Sequence, residues 1–123
     1  MDIFAEIKKL DFPQGQYIVV GSAIMAAKSI RGTNDLDIIV TQELFERHRT
    51  EGWELLPWTK PGISGKDWLR KGSIELYVQL SRKKGVLTLD ELLEDSEVIQ
   101  GIPFITLEQL IEFKREYGRP KDF

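Results

Sequence analysis

The stretch from Tyr17 to Val40, reading Y-I-V-V-G-S-A-I-M-A-A-K-S-I-R-G-T-N-D-L-D-I-I-V, constrains this chain more than any other. Tyr17–Val20 is a β-branched apolar run that predicts a strand, Gly21-Ser22 breaks it, and the Ala-rich Ala23–Ile30 predicts a helix. A polar loop, Arg31–Asn34, leads into Asp35–Val40, where the residues alternate. Side chains of a strand point alternately to its two faces, so Asp35 and Asp37 share one face while Leu36, Ile38 and Val40 share the other. Residues two apart are separated by about 6.6 Å along a strand, close enough for both carboxylates to lean toward a common point that suits a divalent cation. The same unit puts Ser22 where a strand ends and a helix begins. A helix N-terminus offers backbone N–H groups and a partial positive charge, which suit a phosphate. Ser is also a natural N-cap, and the two roles can coexist.

The flanking sequence predicts what this unit packs with. Ile3, Phe4, Ile7 and Leu10 fall on one face of a first helix, which Pro13 and Gly15 end. Thr41 caps a helix running to about Glu51, with Leu44 and Phe45 in the core, His48 as a structural residue and Gly52 as terminator. Trp53–Leu56 reads as a short strand, and 57–65, with two prolines and two glycines, as a loop. Asp67–Arg70 and Ser73–Gln79 flank Lys71-Gly72, read as a two-residue hairpin turn. In the second arm Ile74, Leu76 and Val78 form the apolar face, and Glu75 points the other way with Tyr77. A third carboxylate is thereby available. Arg82-Lys83-Lys84-Gly85 reads as a solvated basic loop. Thr88-Leu89-Asp90-Glu91 and Thr106-Leu107-Glu108-Gln109 each have the capping-box form and start two more helices. The last of these is expected to bury Leu107, Leu110 and Ile111 and to stop at Gly118. Strands alternating with helices, plus a hairpin, predict one α/β (α+β) domain over 1–123, a mixed sheet with flanking helices.

Composition narrows the functional classes. With 41% hydrophobic and 30% charged residues the chain is globular, and it has no apolar run that could span a membrane. It has no cysteine, which removes disulfides and thiolate chemistry, and Met1-Asp2-Ile3-Phe4 is unlike a secretory signal. A cytoplasmic protein is the expectation. A net charge of -3 argues against broad nonspecific nucleic-acid binding.

Gly21-Ser22, the twelve-residue spacer, Asp35-Leu36-Asp37-Ile38 and the later strand carrying Glu75 resemble the signature of polymerase-beta-type nucleotidyltransferases. Arg31-Gly32-Thr33-Asn34-Asp35-Leu36-Asp37 is similar to the Arg-x-Thr-x-Asp-x-Asp run of the minimal members, including those related to abortive-infection and toxin–antitoxin systems. The closing Leu110–Lys114 and Gly118–Asp122 also look like the end of that group's core. The resemblance implies transfer of a nucleoside monophosphate from a nucleoside triphosphate, with Mg2+ ions held by three carboxylates. It implies Gly21, Ser22 and Thr33 at the nucleotide, and Asp35, Asp37 and Glu75 on the metal. The third carboxylate of the family is usually Asp, and Glu75 carries one more methylene.

Lys114 and Arg119 are candidate triphosphate contacts, although cations near a helix C-terminus are favourable there in any case. Trp53, Trp58 and Trp68 suit core or loop packing, and one of them near the cleft would suit stacking on a base. Two functional classes stay open. One is an active enzyme modifying a protein or tRNA hydroxyl. The other is a noncatalytic member of the fold, an antitoxin-like partner or nucleotide sensor, and either reading allows an all-helical partner protein.

Overall fold

The computed structural model describes residues 2–30, 32–57, 66–82 and 85–117. In chain order the elements are α1 (Ile3–Leu10), β1 (Tyr17–Val20), α2 (Ala23–Ala27), β2 (Leu36–Val40), α3 (Gln42–Thr50), β3 (Glu54–Leu56), β4 (Trp68–Lys71) and β5 (Ile74–Tyr77). They continue with β6 (Leu80–Arg82), β7 (Gly85–Leu87), α4 (Leu89–Glu94), β8 (Glu97–Ile99), β9 (Ile102–Phe104) and α5 (Leu107–Tyr117).

Seven strands form one mixed sheet in the order β3-β4-β5-β2-β1-β9-β8, and β6 pairs with β7 separately. The β2–β5 and β1–β9 pairs are parallel, whereas β1–β2, β3–β4, β4–β5 and β8–β9 are antiparallel. β1 and β2 lie at the centre, which is why they read as almost unbroken apolar runs. Ile18, Val19, Leu36, Ile38, Ile39, Leu69, Leu76 and Phe104 are fully buried. Helix α1 contributes Ile3 and Ile7 to this core, with Phe4 set edge-on to Phe104. Asp2 caps α1, and Thr41 caps α3 by accepting a hydrogen bond from the Leu44 N–H at 3.2 Å. Both capping boxes form: Thr88 with Glu91, and Thr106 with Gln109. His48 is buried, its Nδ1 is 2.8 Å from the Leu44 carbonyl, and its ring lies edge-on to Phe12 and Trp53. Its role is packing.

Several expectations change. The helix after Gly21-Ser22 stops at Ala27 and does not reach Ile30, because Ser29 turns left-handed (φ 59°). The Ser29 N–H then bonds the Ala26 carbonyl and the Ile30 N–H bonds the Met25 carbonyl, a Schellman closure that satisfies the terminal carbonyls. α1 likewise ends earlier than Pro13, with left-handed Asp11 as its cap. The β4–β5 turn is Gly72-Ser73, since Lys71 pairs with Ile74. Gly72 supplies the positive φ (62°) that a two-residue hairpin turn requires, and lysine is poorly suited to that position. Arg82 and Gly85 belong to the β6–β7 hairpin and not wholly to a loop. The β8–β9 hairpin was not anticipated; its Gln100-Gly101 turn has both residues at positive φ. On α5, Leu110 is buried but Ile111 is 47% exposed. Arg31, Trp58 and the stretch from Gly118 onward, including Arg119, lie outside the described residues.

Candidate functional site

The sheet register assembles the site. Parallel pairing of β2 with β5 puts Asp37 beside Glu75, and antiparallel pairing of β1 with β2 puts Val20 on the other side of Asp37. Arg70 of β4 lies opposite Glu75, and Glu54 of β3 lies opposite Arg70. Directly paired residues share a face, so Glu54, Arg70, Glu75, Asp37 and Val20 make one row across the sheet. Arg70 Nη2 meets Glu54 Oε1 at 3.1 Å. Tyr77, two residues beyond Glu75 and on the same face, donates its phenol hydrogen to Glu75 Oε2 at 2.7 Å. The Trp68 ring stacks on Tyr77 with centroids 5.6 Å apart and 22° between planes.

Asp37 is the electrostatic focus. Burial holds its carboxyl well above the usual carboxylate range, reinforced by a hydrogen bond shared with Glu75 and by the negative charges of Glu75 and Asp35. Ionising both carboxyls would set like charges side by side out of water, which favours the protonated form of Asp37. The Tyr77 phenol is also pushed far up, first by burial and then by the Asp37 charge and the bond to Glu75. It therefore remains a donor.

Gly21 packs against Asp37. It has φ 71°, and a Cβ there would lie 2.7 Å from Asp37 Oδ2. Both the conformation and the contact penalise a side chain there. Ser22 follows at the N-terminal end of α2, but its side chain makes no capping hydrogen bond. α2 has only five residues, so its dipole is small and any phosphate would rely mainly on the turn's own N–H and hydroxyl groups.

The structure treats the remaining candidates unequally. Asp35 precedes β2 and is exposed, so it does not stand on the strand as the alternation predicts, although its charge reaches Asp37. Thr33 braces it: Thr33 Oγ1 donates to the Asp35 carbonyl at 3.2 Å and lies 3.4 Å from the Asp35 N–H. Lys114 is half-buried on α5 and, among the described residues, makes no ion pair with the carboxylates. Of the described tryptophans, Trp53 is buried against His48, and Trp68 is the one on the face of the acidic pair. Arg70 was not a sequence candidate. A Lys71-Gly72 turn would slip the hairpin register and face Trp68, not Arg70, toward Glu75.

Among the described residues no three His, Cys, Asp or Glu side chains converge as a ready-made metal group. Asp37 and Glu75 lie side by side, and the negative charge gathered around the buried Asp37 marks a place where positive charge is needed. Hard carboxylate oxygens of this kind fit Mg2+, which keeps several waters and uses only one or two protein carboxylates.

The seven-stranded mixed sheet with its helices is a nucleotidyltransferase-like fold. The crystal structure of a candidate nucleotidyltransferase from Thermotoga maritima superposes with a TM-score of 0.65 at 19% identity, over 98% of this chain and 85% of that one. At that identity the likeness is one of fold. No family model and no curated protein matches the sequence.

Proposed function

We propose that this chain, acting as one domain, transfers a nucleoside monophosphate from a nucleoside triphosphate to a hydroxyl of a protein or RNA acceptor. The observation that carries this reading is the side-by-side placement of Asp37 and Glu75, with Gly21 packed against Asp37. Asp37 and Glu75, joined by Asp35, would hold Mg2+. When bound, the cation supplies charge neutralisation for the reacting phosphate and the leaving group.

The chain's own residues have separable tasks. Gly21 leaves room for the Asp37 carboxylate and is assigned to the phosphates through its backbone, and the Ser22 hydroxyl, not engaged in capping, donates a hydrogen bond to them. Thr33 holds the peptide of Asp35 in place at the nucleotide side. Glu75 accepts the proton of the attacking hydroxyl. Lys114 and Arg119 are assigned to the triphosphate, where cations offset its charge. In this reading the chain belongs with the minimal polymerase-beta-type enzymes tied to abortive-infection and toxin–antitoxin systems, working in the cytoplasm beside a helical partner.

One observation favours a second reading, a noncatalytic nucleotide sensor or antitoxin-like partner: among the described residues no three-ligand group is preformed. Incubation with labelled nucleoside triphosphates and Mg2+ separates the two. Label on a protein or RNA, lost in Asp37→Asn, supports transfer. Nucleotide binding without label on any acceptor supports the sensor. Absence of Mg2+-dependent nucleotide binding rejects both.

A further inference from the structure

We propose that Tyr77 is the positioning residue of the site: its phenol tethers Glu75 so that the carboxylate stays aimed at the point it shares with Asp37. This rests on the cation-site reading above and extends it to a residue with no role in that reading.

Glu75 reaches the site on a side chain one methylene longer than aspartate. Each added rotor lets a carboxylate swing away from a common point, and fixing it costs conformational entropy. Backbone pairing places the Cα of Glu75 beside that of Asp37 but does not constrain the end of the side chain. The phenol does. It is buried, two residues along the same strand face, and bonds Oε2 at 2.7 Å. The phenol engages one oxygen of Glu75 and leaves the other outside this contact.

Tyr77 is itself held. The Trp68 ring lies nearly parallel to it at 5.6 Å, and the Arg70 guanidinium sits 5.9 Å from the Trp68 centroid. Arg70 is in turn paired with Glu54 on β3. A chain of contacts thus runs inward from the β3 edge and ends on Glu75. Packing alone would be served by phenylalanine. The hydroxyl donates to Glu75, a carboxylate of the site.

Outer partners that orient metal-binding carboxylates typically alter metal affinity by about 10–100-fold when removed. The test uses Mn2+ alone, titrated into the nucleotide-free protein by water-proton relaxation. Tyr77→Phe keeps the ring in its stack and deletes only the hydroxyl. It is expected to bind Mn2+ about 10–100-fold more weakly than wild type. In a Glu75→Ala background, where the phenol has nothing to aim, Tyr77→Phe should leave the residual Mn2+ affinity unchanged. Equal affinity of wild type and Tyr77→Phe overturns the tether and leaves the cation site standing. Equal losses in both backgrounds also overturn it, since they would mean general loosening. Wild-type binding that survives Asp37→Asn, or no binding at all, rejects the cation site and the tether with it.

Discussion

Gly21 and Asp37 define each other at the scale of single residues. A methyl group at Gly21 would meet Asp37 Oδ2 at 2.7 Å from a left-handed backbone, so two penalties combine. Gly21→Ala should cost about 1–3 kcal/mol in urea unfolding and should displace Asp37 from Glu75. The raised Asp37 carboxyl leads to a pH prediction with a definite sign. In the folded state the group holds its proton to higher pH than in the unfolded chain, whose value is near ~3.9. Between that value and the raised folded value the native state binds more protons, so stability falls as pH rises. Without divalent cations, acidifying from pH 7 toward that window should therefore raise the melting temperature until other carboxylates protonate. Asp37→Asn removes the charge while its amide can still donate to Glu75. It should be at least as stable as wild type at neutral pH, by on the order of 1 kcal/mol, and should lose this pH dependence. A wild-type melting temperature that only falls on acidification would contradict the raised Asp37 carboxyl.

The β4–β5 hairpin carries the specificity at the scale of elements. Its turn decides whether Arg70 or Trp68 lies opposite Glu75, and Gly72 makes the turn. Open space surrounds the position, so Gly72→Ala should cost only the left-handed conformation, about 1–2 kcal/mol, without crowding a neighbour. Gly72→Asn should cost less, because asparagine tolerates that region. Thr41→Ala should cost about 1 kcal/mol through the lost α3 cap and leave nucleotide binding unchanged. Chemical denaturation paired with nucleotide titration checks all three. A large binding defect in Thr41→Ala would mean that α3 takes part in the site.

For the whole molecule, one core joins β1, β2, β5 and the helices. Trp53 packs beside α3 and Trp68 on the acidic face, so they report opposite parts of it. If the chain is one domain, tryptophan fluorescence and far-UV circular dichroism should trace the same unfolding transition, and two separated transitions would refute the single unit. Mg2+ with triphosphate at a hundredfold excess over Kd should add roughly 2.7 kcal/mol to wild type. The double variant Asp35→Asn and Asp37→Asn should forfeit that increment. A thermal shift of equal size in both proteins would remove the carboxylates from the cation site.

What the sequence determined by itself was local. Apolar runs, turn residues and caps mark β1, β2, α1, α3 and the capping boxes because these depend on neighbours within a few positions. Alternation alone also put Glu75 and Tyr77 on one face. The placement of Asp37 beside Glu75 depends on β2 pairing with β5 in parallel, a choice between strands more than thirty residues apart that no local pattern encodes. Two further turns are equally local. Gln100-Gly101 between apolar residues marks a hairpin, and Ser29 takes the left-handed cap usually given to glycine. Asp35 shows the limit from the other side. β2 begins one residue later than the alternation predicts, Thr33 holds the Asp35 peptide just ahead of it, and the Asp35 carboxylate is exposed while its charge still acts on Asp37.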